Sequence, residues 1–124
     1  MWAMIIVGAM YLALGIWCTV DPSGTSSKVG FELQGGQGRS EFVTVYGGLE
    51  VGIGLAMILT GWSPQLREGG LAFAAIVTAA LVVFRLPTLF VYELPSKIYY
   101  FVIAEIVTAA WIAWAYWGVR GAEQ

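Results

Sequence analysis

Four long apolar runs constrain this chain more than any other feature: Ala3 to Val20, Val43 to Gly61, Leu71 to Val91 and Ile98 to Val119. Each approaches the ~20 residues with which a helix crosses about 30 Å of hydrocarbon. Barrel strands would alternate apolar and polar residues at every second position, and these runs do not. Little else in the chain could cover them in water. Apolar residues make up 59% of it and charged residues 11%, whereas a soluble domain carries roughly 25% charged residues. The mean hydropathy is +0.77. The sequence therefore predicts an all-α integral membrane protein, a single domain over residues 1–124. Its expected form is a four-helix bundle with spans at approximately 3–20, 43–61, 71–91 and 98–118. The lipid bilayer is the expected solvent, and a multi-pass position in a cell membrane follows.

The first run opens Met-Trp with no basic residue ahead of it, and no small-x-small cleavage site precedes Asp21-Pro22. It is therefore expected to be retained as a span rather than removed as a signal peptide. Net charge is −2 with Lys and Arg dispersed, so nucleic acid is not an expected partner. The chain has no histidine and a single cysteine, Cys18. Histidine-ligated haem, His-rich zinc sites, Ser-His-Asp catalysis and an internal disulfide are thereby excluded. No cofactor or metal site is expected, and Cys18 reads as packing.

Between the first two runs lies a polar, glycine-rich connection, residues 21–42, whose "VGFEL" suggests a partly interfacial position. Ser40 is placed to cap the second helix, with Glu41 favourable in its first turn. "GGQGRS" lacks the Gly-Lys-Ser/Thr ending of a phosphate loop and reads as flexible loop. "SPQLREGG" and "ELPSK" read as turns, which makes the later helices antiparallel neighbours. Pro87 falls inside the third run, where it removes a backbone donor. Gly48-x3-Gly52 is a weak helix-association signal. Trp2, Trp62 and Trp117 read as an aromatic belt on one side, with Tyr92, Tyr99 and Tyr100 on the other. Two basic residues on one side (Arg67, Arg120) against three on the other (Lys28, Arg39, Lys97) leave the orientation undecided.

Glu50, Arg85 and Glu105 are the ionisable residues inside the apolar runs. Counted from the side carrying the first connection, each lies about 9–12 Å deep at 1.5 Å per residue. Helical periodicity puts Tyr46, Gly47, Glu50, Gly54, Met57 and Gly61 on one stripe. In the same way Ala74, Thr78, Leu81, Val82 and Arg85 share a face of the third helix. On the fourth, Ile98, Phe101, Glu105, Thr108, Ala109 and Ile112 do so. An isolated charge at mid-membrane costs about 2.5–3.5 kcal/mol on insertion scales, so these stripes are expected to turn inward, with Arg85 forking onto one or both carboxylates. Tyr46 and Glu41 are expected nearer the surface. Two carboxylates face one guanidinium, so either one carboxyl holds a proton or the site takes a cation. Three readings stay open: a purely structural lock, a site for a small lipophilic or cationic molecule or for protons, and a contact with another subunit. An accessory role in a larger complex or a homo-oligomer belongs to the last. Enzymatic action is least favoured, because no nucleophile–base pair stands out.

The residues also resemble a known family. Asp21-Pro22, "GFEL", "SEFVTVYGGLEVGIGL", "VVFRLPTL" and "IAEIV" are similar to a bacterial family of small four-helix membrane proteins, catalogued as a domain of unknown function and DoxX-like in general appearance. The resemblance implies a four-helix membrane fold, a bacterial inner membrane setting and conserved-pattern positions at Glu41, Tyr46, Gly47, Gly48, Arg85 and Glu105. The chain departs from that pattern at Val43, where arginine is expected, and at Glu50, an added acid. Both changes make its polar cluster more negative. The resemblance implies no activity.

Overall fold

The computed structural model describes residues 1–122, and no strand occurs among the described residues. Its helices are α1 (Trp2–Val20), α2 (Pro22–Lys28), α3 (Gly35–Phe42), α4 (Glu50–Trp62), α5 (Arg67–Val91) and α6 (Ile98–Ala122). A π-helical segment, Val43–Leu49, joins α3 to α4 without a break, and a 3-10 turn, Pro64–Leu66, leads into α5. Four helical stretches are long and apolar enough to cross a membrane: Trp2–Val20, Gly35–Trp62, Pro64–Val91 and Ile98–Ala122. The chain divides into two compact units, Ile5–Leu59 and Met1–Met4 with Thr60–Gln124.

In the Ile5–Leu59 unit, α1 ends where Asp21 hands over to Pro22. Asp21 caps α2, its Oδ1 accepting from the Gly24 amide at 3.0 Å, and Pro22 occupies the first turn, where its missing N–H costs nothing. The end of α2 is a Schellman turn. Gly30 takes a left-handed φ of +84°, the Phe31 amide donates to the Ser26 carbonyl at 2.9 Å, and the Gly30 amide donates to that of Ser27 at 3.2 Å. This turn reverses the chain so that Phe31 meets Phe42 and Tyr46.

The main contact of this unit is between α1 and the stretch continuing into α4, and glycines make it possible. A β-carbon on Gly8 would stand 2.7 Å from the Gly54 carbonyl oxygen, and one on Gly54 would stand 2.6 Å from that of Gly8. A β-carbon on Gly15 would stand 2.8 Å from the Gly47 carbonyl oxygen. Gly8 and Gly15 are one heptad apart, and so are Gly47 and Gly54, so the two helices pass antiparallel at backbone distance. Val7 and Met57 are buried alongside.

In the other unit, α5 and α6 form an antiparallel hairpin across the turn at 92–97. Leu71, Ala74 and Thr78 of α5 are buried, as are Val102, Ile112 and Ala115 of α6. The Thr78 hydroxyl satisfies itself by donating to the Ala74 carbonyl at 2.8 Å. Near the start of α5, Glu68 pairs with Arg120 in the last turn of α6, at 3.8 Å. Each charge also suits the helix end it occupies. Met4 is fully buried, and the Met1 nitrogen donates to the Gly61 carbonyl at 2.8 Å.

Several local expectations are corrected. The connection 21–42 is mostly helical, and "GGQGRS" lies in α3. Ser40 is inside that helix rather than at its cap, which is Gln34. "REGG" opens α5 instead of a turn, because Gly69 and Gly70 lie in its first turns. Tyr46, Leu81 and Phe101, placed on inward stripes by ideal periodicity, are exposed. For Tyr46 the reason is physical: the π segment has more residues per turn than an α-helix, so its faces rotate away from a 100° projection. Gly48 and Gly52 face open space, and the seam runs through Gly47 and Gly54 instead.

That seam makes a paired prediction. Gly54→Ala forces a methyl group onto the Gly8 carbonyl and should cost about 1–3 kcal/mol. Gly52→Ala meets nothing and should be neutral or, through helix propensity, stabilising by up to about 1 kcal/mol. Thermal unfolding in detergent, followed by size-exclusion elution of the surviving protein, separates the two.

Candidate functional site

Arg85 lies on the α5 face that carries Ala74 and Thr78, and Glu105 lies on the α6 face that carries Val102 and Ile112. The hairpin therefore brings them together. The guanidinium donates from Nε to Glu105 Oε2 at 3.1 Å and from Nη2 to Oε1 at 2.9 Å, a fork that engages both carboxylate oxygens. The side chains are 38% and 20% exposed, so water screens the pair only in part. In the same turn Thr88 donates its hydroxyl to the Arg85 carbonyl at 2.6 Å, next to Pro87, which has no N–H to give. The fork bridges α5 and α6 through both carboxylate oxygens.

The second constellation belongs wholly to the Ile5–Leu59 unit. Phe42 and Tyr46 stack at 4.9 Å and 17° between ring planes. Phe31 sets its edge against both, at 6.2 Å and 5.6 Å. These rings, with Leu33, Val45 and the acidic Glu41, line a pocket of about 220 Å³. Two elements build it. The Schellman turn after α2 delivers Phe31, and the α3–π junction delivers Glu41, Phe42 and Tyr46. The basic residue nearest in sequence on the α2 side, Lys28, is drawn away over the Trp17 ring at 5.8 Å. The pocket thus combines π faces and edges with one carboxylate, and Glu50 follows one turn beyond Tyr46, half-buried at the start of α4.

Of the residues expected at a site, Arg85 and Glu105 meet directly, and Glu41 and Tyr46 share a pocket. The expected convergence of Glu50 with Arg85 and Glu105 joins residues of different units; within one unit the geometry supports the Arg85–Glu105 half of it. Phe31 and Phe42 escaped the sequence reading as pocket residues. The signal was present in the apolar "VGFEL" inside a polar stretch, but its meaning depends on Gly30 turning the chain back.

One family profile, described as Domain of unknown function (DUF4345), matches residues 1–116. The chain belongs to that family. The matched region takes in every residue of both constellations. No curated protein and no solved structure matches the chain.

If the DUF4345 ion pair is a lock, its partners should be strongly coupled. Arg85→Leu and Glu105→Leu should each destabilise the protein by about 2 kcal/mol, because each removes one side of a partly desolvated ion pair. The double replacement should cost clearly less than the two added together. Equilibrium unfolding of the four proteins in one detergent gives the coupling directly, and additive losses would rule the lock out.

Proposed function

We propose that this protein is a non-enzymatic, four-span protein of a bacterial inner membrane that binds a small lipophilic cation. The binding site is the pocket of Glu41, Phe31, Phe42 and Tyr46. Support for the membrane setting comes from four helices of spanning length in a chain with 11% charged residues, together with the sequence resemblance. Support for the cation comes from the pocket itself, where aromatic rings and one carboxylate converge on a cavity of about 220 Å³.

The chemistry is selective. Ring quadrupoles attract a cation with about 0.5–2 kcal/mol each, depending on desolvation, while offering a neutral isostere only contact area. Glu41 supplies the countercharge at the exposed edge, and Glu50 adds a second carboxylate further along the same helical stretch. An alkylated ammonium group matches this site better than a hydrated metal ion, because carbon-bound hydrogens can lie against the rings without losing a hydration shell.

A second reading, an accessory or assembly subunit of a larger membrane complex, draws on one face of α5. There Ile76, Val83, Phe84 and Phe90 are all widely exposed. Either lipid or a neighbouring helix could cover such a face. Purification in mild detergent with mass measurement distinguishes them, since a stoichiometric partner supports assembly and a lone chain supports the first reading.

The cation reading is tested with choline and its neutral isostere 3,3-dimethylbutanol. Calorimetric titration of the detergent-purified protein should show choline bound about tenfold more tightly or better. Glu41→Gln and Tyr46→Leu should each remove that preference while leaving the elution profile unchanged. Equal binding of the two compounds, or a preference that survives both replacements, would overturn it.

A further inference from the structure

A larger cavity, of about 960 Å³, lies in the unit of Met1–Met4 and Thr60–Gln124. It is at the upper end of the roughly 300–1,000 Å³ typical of small-molecule sites. Its walls divide by chemistry. Trp111, Trp114, Ala115 and Val119 of α6 give an apolar side, joined by Trp2 and Ala3 of α1. Pro64, Gln65, Arg67 and Glu68 form the opposite, polar lip.

Charge on that lip is unbalanced. Glu68 is taken up by Arg120 at 3.8 Å, and Arg120 is further held over the Tyr116 ring at 5.8 Å. Arg67 has no such partner in the ion pairs of the described residues. Its Nε is buried and makes no hydrogen bond, the one side-chain nitrogen or oxygen of this kind among the described residues. Arg67 therefore brings to the cavity wall a guanidinium whose charge neither ion pair of the described residues offsets. The tryptophans add a second, independent indication. Trp2 and Trp114, both on the cavity wall, are 76% and 74% exposed, the pattern of side chains that settle at the boundary of headgroups and hydrocarbon.

We propose that this cavity binds an anionic amphiphile, its phosphate or carboxylate on Arg67 and its alkyl chain along the tryptophan-lined wall of α6. The planar fork of Arg67 suits either anion, since both offer two oxygens at matching spacing. This site is separate in residues and in ligand charge from the aromatic pocket, so the two stand or fall independently.

Native mass spectrometry of the protein in a neutral detergent provides the test, with phosphatidylglycerol, oleate and phosphatidylcholine titrated separately. One equivalent of anionic amphiphile should bind at least about tenfold more tightly than phosphatidylcholine. Preference for phosphatidylglycerol would identify the membrane lipid as the source, and preference for oleate a free single-chain acid. Arg67→Gln should abolish the discrimination, Arg67→Lys should retain part of it, and Arg39→Gln, outside this unit, should leave it whole. Gly118→Leu narrows the cavity at an open position, so it should weaken binding with the fold intact even where Arg67→Gln proves unstable. Equal retention of phosphatidylcholine, or anion preference unchanged in both Arg67→Gln and Gly118→Leu, would overturn the proposal.

Discussion

Two helices reach backbone contact only where neither places a side chain between them, and the Gly8–Gly54 and Gly15–Gly47 crossings meet that condition. Much of the Ile5–Leu59 unit depends on it. With two contacts one heptad apart, the helices can neither slide by a residue nor rotate without driving a β-carbon into a carbonyl oxygen. Dispersion contact of this closeness is a source of cohesion that does not depend on withdrawing large apolar side chains from water. Gly47 is thereby fixed, and with it the rotation of the π segment that presents Tyr46 to Phe31.

In the α5–α6 hairpin the register also matches charge to charge. Glu68–Arg120 and Arg85–Glu105 sit toward opposite ends of the same helix pair. The stretches separating the charges on α5 and on α6 differ by about two residues, roughly 3 Å of rise, so one antiparallel alignment satisfies both pairs. A slip of one turn would strand all four charges against apolar neighbours. Few charges are available in this chain, and four of the five on α5 and α6 meet in these two pairs. That use explains why a charged residue in an apolar run is first a structural statement, and why Arg67, which aligns nothing, stands apart.

The sequence made the large elements legible because the signal is length: an apolar run of some twenty residues has the length of one long helix, and all four such helices begin or end close to where hydropathy changes. The Arg85–Glu105 contact was legible for a related reason, since a short turn fixes the antiparallel neighbour and depth along each helix then matches charge to charge. Two things were not fully legible. Glycines in "GGQGRS" and "REGG" are poor helix formers, and local propensity reads them as loop. Here the helices they join continue through them, so that tertiary continuity overrides a preference of about 1 kcal/mol per residue. The glycine seam was legible only by half: Gly47 and Gly54 share a stripe that permits close approach, but which helix meets it depends on Gly8 and Gly15, one heptad apart in another run.

The π segment connects these observations. Val43–Leu49 lies between a polar helix whose faces are set by the Schellman turn and an apolar helix whose faces are set by α1. A continuous α-helix would have to satisfy both with one phase. Widening the turn resets that phase at the cost of poorer hydrogen-bond geometry, and such segments recur where a binding site is built into a helix. Tyr46 and Gly47 are consecutive residues, one a wall of the aromatic pocket and the other the seat of α1. An occupant that displaces the tyrosine ring therefore acts on a backbone already pinned at the next residue. The pocket can be rigid, despite lying at an exposed edge, because the glycine contact behind it leaves the segment no other rotation to adopt.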